Sequence, residues 1–420
     1  MAAAVAVFAL LVIVFVSQSA RLGRAHLTGP IVFVVAGVVV GLSMSGAVDG
    51  GTSRAIAEVT LALTLFHDAA QLQPRDVRGD SFFTGRLLLV GLPLTIGAGY
   101  LVARGLFPEV GIWLALLLAA TLAPTDAGLG AATVLNPVVP VRVRRILNVE
   151  SGLNDGLATP VVLFAVAMAA GSSPEHVALD ALEELAIGVA VGVVAGFLAG
   201  RLIERARTSG WAETSLLPIA ALSVPLLCYY GAIAIGGNGF VAAFAAGTTY
   251  AAAQAGVRHT HASLGMTDRL SALLGYAVWL LLGITVAHHA GWLVRWQSFV
   301  FAALSLTVLR MIPVAVSLLG TGLRWPTVLF VGWFGPRGLA SVVFALITAE
   351  SLGETDPAVQ TVVGAVALTV ILSVVLHGLS SGPLADRYGR WAERTSPPVE
   401  TQQAAEPLAV RRSVGGHSSP

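Results

Sequence analysis

The most polar stretch inside any apolar part of this chain is ESGLNDG, residues 150–156. It lies near the start of a run, 146–169, that is long enough for a membrane-spanning helix of about 20 residues. A charge at the centre of such a helix costs about 2.5–3.5 kcal/mol even on lenient scales, so charges that persist there mark functional positions by default. On a helix, Ser151 and Asp155 lie four residues apart and share one face. The stretch therefore predicts a membrane helix that presents oxygen atoms to a polar cavity.

These oxygen atoms belong to one chemical class. The carboxylate of Asp155, the hydroxyl of Ser151 and the amide oxygen of Asn154 are hard ligands, which suit a small monovalent or divalent cation. Glu150 and Asn154 form a second pair on the adjoining face. A polar contact between helices is the competing interpretation, but two acids five residues apart would then both need partners.

The composition extends the membrane interpretation to the whole chain. Of its 420 residues, 56% are hydrophobic and only 11% are charged, whereas soluble domains carry roughly a quarter charged residues. The mean hydropathy is +0.82. A net charge of +1 excludes the basic field that nucleic acid would need, and we find no phosphate loop for a nucleotide. The composition predicts an all-α polytopic membrane protein in a lipid bilayer.

Hydropathy windows of about 19 residues predict about thirteen membrane-spanning helices. They lie near 2–20, 27–43, 55–70, 82–103, 110–134, 146–169, 184–204, 215–235, 238–256, 270–289, 296–319, 326–349 and 358–381. All 24 basic residues are arginine, and the loops after even-numbered spans hold only Arg54, Arg104 and Arg295. By the positive-inside rule, the amino terminus lies outside and the carboxyl terminus lies in the cytoplasm.

Two of the predicted spans are interrupted by proline and glycine beside a charge. The fifth contains APTDAG at 123–128, and the twelfth contains GPRG at 335–338. Proline removes a backbone donor, so both helices should unwind near their middle. There Asp126 and Arg337 can neutralise the dipoles of half helices. Paired breaks of this kind indicate an inverted-repeat transporter with its site at the midplane.

The predicted domain organisation follows from the two breaks. A membrane domain at 1–385 would contain inverted repeats at about 1–170 and 215–385, joined by a linker helix at 184–204. Residues 386–420 would form a short cytoplasmic tail that is disordered, because its end is rich in Ser, Pro, Gln and Glu without apolar periodicity.

At this point four elements resemble the monovalent cation:proton antiporter family, in particular its NhaP-type bacterial sodium/proton exchangers. They are the Thr125-Asp126 break, ESGLNDG at 150–156, the GPRG break at 335–338 and HGL at 377–379. The resemblance covers about residues 1–385. It implies a thirteen-helix fold with a six-helix core domain and a dimerisation domain, working as a homodimer.

The resemblance also implies roles for individual residues. Asp155 would bind the ion and the proton in turn, with oxygen ligands from Ser151 and Thr125 for transported Na⁺. Asn154 would orient the site, at a position where electrogenic relatives carry a second Asp. Asp126 would join the ion-binding group at the unwound crossing.

Three further intramembrane residues receive roles from the same resemblance. Glu150 would form a structural ion pair with Arg310, which we prefer to Arg337 as its partner. Asp68 falls near a position where some relatives carry Glu as another cation ligand, although the following Ala69-Ala70 replaces a more usual Gly-Leu. We interpret His377 as a contact at a helix end.

The function these residues predict is secondary active transport in the cell membrane. A monovalent cation, Na⁺ or Li⁺ first, would exchange for H⁺ by alternating access and so support pH and sodium homeostasis, with no cofactor. Asn154 in place of a second acid predicts electroneutral exchange. Two alternatives are a K⁺/H⁺ antiporter on the same scaffold and an intramembrane aspartyl protease using Asp126 and Asp155.

Overall fold

We describe the protein from a computed structural model, which covers residues 2–24, 27–43, 50–71, 81–126, 128–129, 131–134, 136–171, 174–254 and 257–401. Every regular element in those ranges is a helix. The helices of the first half are α1 Ala2–Arg24, α2 Gly29–Ser43, α3 Gly50–Gln71, α4 Ser81–Leu106, α5 Gly111–Thr121, α6 Ala131–Val134, α7 Val141–Ala169 and α8 Pro174–Thr208. Those of the second half are α9 Leu217–Ala234, α10 Gly239–Ala253, α11 Val257–His288, α12 Trp296–Leu306, α13 Val308–Ser317, α14 Trp325–Trp333, α15 Leu339–Leu352 and α16 Pro357–Thr395.

The apolar helices confirm the all-α polytopic membrane fold. Within the described residues, eight helical segments are long and apolar enough to cross a membrane, and shorter apolar helices lie between them. The two predicted interruptions are also present, between α5 and α6 and between α14 and α15. The total of thirteen spans and the division into repeats stay predictions.

Several helices extend beyond their apolar windows. α8 begins at Pro174 instead of near 184, α11 begins at Val257 instead of near 270, and α16 ends at Thr395 instead of near 381. Hydropathy detects the lipid-matched part of a helix, whereas the backbone hydrogen-bond ladder continues wherever polar residues can reach water or protein.

The predicted tail needs a correction at its beginning. Residues 386–395 continue α16, and Glu400 beyond it is only 1% exposed. The carboxylate of Glu400 accepts hydrogen bonds from Arg324 N (2.7 Å) and Thr327 Oγ1 (2.8 Å). The prediction of disorder from residue 386 is therefore wrong for 386–401, because packing against α14 supplies partners that the local composition does not reveal. Residues 402–420 lie outside the described residues.

The helices pack in two groups, the second of which includes parts of the interrupted helices. In one group, α8 lies along α10, α2 lies along α11, and α3 packs on both α10 and α11. In the other, α5 packs on α4 and α7, and α16 packs on α12 and α15. α15 also contacts α3 and so links the groups. The close approach of α8 to α10 uses small residues, as membrane helices commonly do: Gly188, Gly192, Gly196 and Gly200.

Candidate ion-binding site at two crossing helix breaks

The two interruptions meet face to face. α5 ends at Thr121, three residues before Pro124, and α14 ends at Trp333, three residues before Pro336. Neither proline can donate a backbone hydrogen bond, so neither helix continues through its proline. The amide of Asp126 instead donates to the carbonyl oxygen of Pro336 across the crossing, at 2.8 Å. Each unwound segment therefore satisfies part of the other's backbone.

Asp126 accepts backbone hydrogen bonds from both breaks. Its Oδ1 accepts from the amide of Gly128 (2.7 Å), and its Oδ2 accepts from the amide of Leu339, the first residue of α15 (3.0 Å). A carboxylate at a helix amino terminus satisfies otherwise unpaired N–H groups and is stabilised by the helix dipole. The side chain thus acts as a cap between two segments that are 213 residues apart.

Arg337, on the second break, is fully buried and lies against the carboxyl-terminal end of α5. Its Nη1 donates to the carbonyl oxygens of Ala123 (2.9 Å) and Pro124 (3.2 Å), just beyond the end of α5. Its Nη2 donates to the carbonyl oxygen of Ser305 near the end of α12 (3.1 Å). A cation is favourable at carboxyl-terminal carbonyl groups, as a carboxylate is at amino termini. The two opposite charges of the breaks therefore match the two opposite dipole ends.

The glycines of the GPRG break permit this close approach. A Cβ atom on Gly335 would lie 2.6 Å from Arg310 Nε and 2.9 Å from Thr125 Cγ2. On Gly338 it would lie 2.0 Å from Asp126 Oδ2. A side chain at either position would therefore require Arg310, Thr125 or Asp126 to shift.

Three predicted site residues meet beside the crossing. Thr125 Oγ1 lies 2.9 Å from Ser151 Oγ, and Asn154 Nδ2 donates to Thr125 Oγ1 at 2.7 Å. All three side chains are buried, with at most 5% exposure. Asn154 Oδ1 is also buried and has no hydrogen-bond partner among the described residues. The group therefore contains an unsatisfied oxygen acceptor, which is costly unless a ligand or water completes it.

Asp155 lies one helical turn beyond Ser151 on α7. It is 8% exposed, whereas its neighbour Asn154 is 1% exposed. Its backbone carbonyl oxygen accepts from Thr159 Oγ1 at 2.7 Å. The residue is thus mostly shielded from solvent but retains some exposure.

Glu150 and Arg310 tie α7 to α13 next to this group. Arg310 Nη1 donates to Glu150 Oε1 at 2.6 Å, and Nη2 donates to Oε2 at 2.7 Å. Both residues are almost fully buried. This parallel two-bond geometry is the strongest form of carboxylate–guanidinium pairing.

Asp68 belongs to a second polar cluster, at the end of α3. Its Oδ1 lies 3.2 Å from Nδ1 of the buried His67, and His67 Nε2 lies 3.7 Å from Oδ1 of Asp268 on α11. Gln71 Nε2 lies 2.9 Å from the same ring nitrogen. Sequence analysis did not single out Asp268 or Gln71. The only local signal was the spacing of four between His67 and Gln71, which places them on one helix face.

Taken together, these features define a class of protein. A polytopic helical membrane protein in which two interrupted helices cross beside buried ionisable residues has the features of a secondary transporter. The chain belongs to the sodium/hydrogen exchanger family: the family model described as "Sodium/hydrogen exchanger, transmembrane" matches residues 6–387.

Individual relatives agree with this assignment. A Na(+)/H(+) antiporter of Schizosaccharomyces pombe is 27% identical over 331 residues, which cover 70% of each chain. The K(+)/H(+) antiporter NhaP of Alkalimonas amylolytica is 26% identical, covering 96% of this chain and 69% of the relative. The K(+)/H(+) antiporter NhaP2 of Shewanella baltica is 23% identical, covering 94% of this chain and 66% of the relative.

A solved structure supports the fold. The sodium proton antiporter MjNhaP1 of Methanocaldococcus jannaschii matches with a TM-score of 0.70 at 15% identity, over 90% of this chain and 98% of that chain. The predicted NhaP-type antiporter fold is therefore confirmed, and the chain is a secondary transporter rather than an enzyme. The aspartyl protease alternative is wrong, because the family consists of exchangers. Both carboxylate oxygens of Asp126 also accept hydrogen bonds from backbone amides.

Proposed function

We propose that this protein exchanges a monovalent cation, Na⁺ or Li⁺ first, for protons, with Asp155 carrying each in turn. The observation that carries the proposal is the buried oxygen group of Thr125, Ser151 and Asn154, which lies beside Asp155 at the crossing. Hydroxyl, amide and carboxylate oxygens are hard ligands that suit an alkali cation. The names of the Schizosaccharomyces pombe and Shewanella baltica relatives support cation/proton exchange.

The proposed cycle alternates two neutral forms of one carboxylate. A proton or a cation neutralises Asp155, and the loaded site is then exposed to one side of the membrane and afterwards to the other. Ser151 and Thr125 supply oxygen ligands to the cation. Asn154 orients Thr125 through its Nδ2–H. Its buried Oδ1 has no partner among the described residues and can accept from water or bind the cation.

The remaining charged groups have scaffold roles in this proposal. Asp126 and Arg337 compensate the dipoles of the interrupted helices. The carboxylate of Asp126 accepts from a backbone amide, and the guanidinium of Arg337 donates to a backbone carbonyl oxygen. The Glu150–Arg310 pair joins α7 to α13. Asp68 serves the approach to the site instead of binding the cation beside Asp155, because it lies with His67 at the end of α3.

The proposal also includes the stoichiometry of transport and the assembly and orientation of the protein in the membrane. Because Asn154 is neutral, one carboxylate exchanges one proton for one monovalent cation, and transport is electroneutral. The protein works as a homodimer in the cell membrane, with its amino terminus outside, its carboxyl terminus in the cytoplasm and roles in pH and sodium homeostasis.

Potassium is the second candidate cation. Relatives named as K(+)/H(+) antiporters align with 94–96% of this chain. Selectivity between alkali cations depends on cavity size and on the field strength of the ligands, and the identity of the ligands is compatible with either ion.

The decisive experiment compares the wild type with Asp155→Asn in proteoliposomes. An imposed Na⁺ gradient should drive proton movement in the wild type and in the control Glu393→Gln, which changes an exposed acid on α16. Asp155→Asn should abolish that movement, because the amide cannot bind a proton or neutralise a cation. Exchange that survives in Asp155→Asn would reject Asp155 as the carrier. Repeating the assay with K⁺ and Li⁺ decides the cation.

A further inference from the structure

Two side chains of α16 contact the second break and have no part in the site proposed above. Ser373 and His377 are four residues apart and therefore share a helix face. Both are buried, with exposures of 0% and 2%. The amide of Arg337 donates to Ser373 Oγ at 2.7 Å, and His377 Nε2 lies 2.9 Å from the carbonyl oxygen of Trp333.

In an unbroken helix, the two backbone groups in these contacts would form a hydrogen bond with each other. There the amide of residue 337 would donate to the carbonyl of residue 333, four positions earlier. The break separates them, because Pro336 has no amide and α14 ends at Trp333. Ser373 then accepts from the Arg337 amide, and His377 donates to the Trp333 carbonyl, whose other lone pair accepts from Gly335 N at 2.8 Å. α16 thus substitutes for the missing helical hydrogen bond at both ends of the break.

Both ring nitrogens of His377 contact a carbonyl oxygen, which only accepts, so a neutral ring donates to one of the two. We assign the hydrogen to Nε2, which then donates to Trp333, because the Ser373 hydroxyl lies beside Nδ1 and can donate to it. Nδ1 lies 3.3 Å from Ser373 Oγ and 2.9 Å from the Ser373 carbonyl oxygen. In this tautomer, Nδ1 accepts from the Ser373 hydroxyl, whose oxygen accepts from the amide of Arg337. One chain of hydrogen bonds therefore joins both ends of the break to α16.

This chain reaches the oxygen group through Arg337. The guanidinium of Arg337 donates to the carbonyl oxygens of Ala123 and Pro124, and the next residue is Thr125. Gly335 also lies directly against Thr125 and Arg310. A shift of residues 334–337 would therefore displace Thr125 from Ser151 and Asn154.

We propose that Ser373 and His377 are positioning residues for cation exchange, which hold the unwound segment 334–337 where it sets Thr125 in the oxygen group. The inference rests on the proposed function, since it assigns the segment's position an effect on cation affinity. It does not require either side chain to touch the cation.

The test uses two amide replacements of different reach. In His377→Gln the side-chain amide can take the place of ring Nε2 and donate to Trp333, whereas in His377→Asn the shorter amide reaches only the position of Nδ1. Ser373→Ala removes the acceptor for Arg337. The matched control is Thr369→Ala, one turn earlier on the same face, where the buried hydroxyl donates to Ala365 of its own helix at 2.7 Å.

We expect a change in cation affinity rather than in turnover alone. In proteoliposomes, Ser373→Ala and His377→Asn should raise the KM for Na⁺ about five- to tenfold, as the loss of one buried hydrogen bond predicts. His377→Gln and Thr369→Ala should keep the wild-type KM. Equal KM values for all four variants would overturn the proposal. A fall in maximal rate and thermal stability at unchanged KM would also overturn it, because that result indicates a purely structural role.

A second measurement does not depend on transport. Hydrogen–deuterium exchange of peptides spanning 333–338 should become faster in Ser373→Ala than in wild type, while Thr369→Ala leaves it unchanged. Unaltered exchange in Ser373→Ala would overturn the positioning role. If the wild-type protein moves no cation but exchange in this segment responds as expected, the proposed function fails and the structural part of the inference stands.

Discussion

At the scale of single residues, the buried Glu150–Arg310 pair has the clearest energetic consequence. Removing one partner leaves an uncompensated buried charge, which typically costs about 3–5 kcal/mol. Glu150→Ala should therefore lower the melting temperature and the yield of folded protein in detergent. The exchanged pair Glu150→Arg with Arg310→Glu should recover part of the loss. A stable Glu150→Ala protein with altered cation affinity alone would instead assign Glu150 to the ion site.

Spacing on one helix predicted much of the site at this scale. Ser151, Asn154 and Asp155 were identifiable because their separations of one, three and four residues determine which helix faces they occupy. The partners of Asp126, Arg337 and Ser373 were not identifiable, since each contact joins segments that are 36 to 214 residues apart. Burial of a polar group demands a partner but does not specify which one.

At the scale of elements, the segment 396–401 after α16 binds the amino-terminal end of α14. Glu400 accepts from the backbone and side chain at the start of that helix, and the carbonyl oxygen of Val399 accepts from Arg142 Nη1 at 2.6 Å. A carboxylate at the amino terminus of α14 is favourable in the helix dipole. This segment therefore ties α14 to the first turn of α7, the helix that carries Ser151 and Asn154.

Two truncations test this tie. A chain that ends after Thr401 keeps Glu400 and should melt like the full-length protein in detergent. A chain that ends after Thr395 loses both contacts, and its melting temperature should fall, since replacing a helix cap typically costs about 0.5–2 kcal/mol. Glu400→Ala in the full chain should reproduce most of that fall. If both truncations melt at the same temperature, the segment 396–401 does not stabilise α14.

The positions of the helix breaks could be predicted from neighbouring residues, whereas the full lengths of some helices could not. Proline and glycine beside a charge predicted both breaks, because each proline removes its own amide from the ladder. The lengths of α8, α11 and α16 were underestimated, because hydropathy follows the apolar residues and does not follow the hydrogen bonds that carry a helix into its polar ends.

At the scale of the whole molecule, the proposed charge balance predicts the response to a membrane potential. One carboxylate that alternates between a proton and a monovalent cation moves no net charge in a full cycle. A potential clamped with K⁺ and valinomycin should therefore leave the initial rate of Na⁺/H⁺ exchange unchanged. A rate that varies clearly with the clamped potential would contradict electroneutral exchange and require a second titrating group.

The sequence by itself determined that this chain is a polytopic helical membrane protein, where its helices break and that Ser151 and Asp155 share one face of α7. These properties depend on hydropathy, proline and spacing, all of which act within a few residues. Only the tertiary structure decided that Asp126 caps α15, that Arg337 caps the end of α5 and that α16 replaces a lost helical hydrogen bond. The reason is that a buried polar group selects its partner by distance after folding, and segments far apart in the chain carry no local record of that distance.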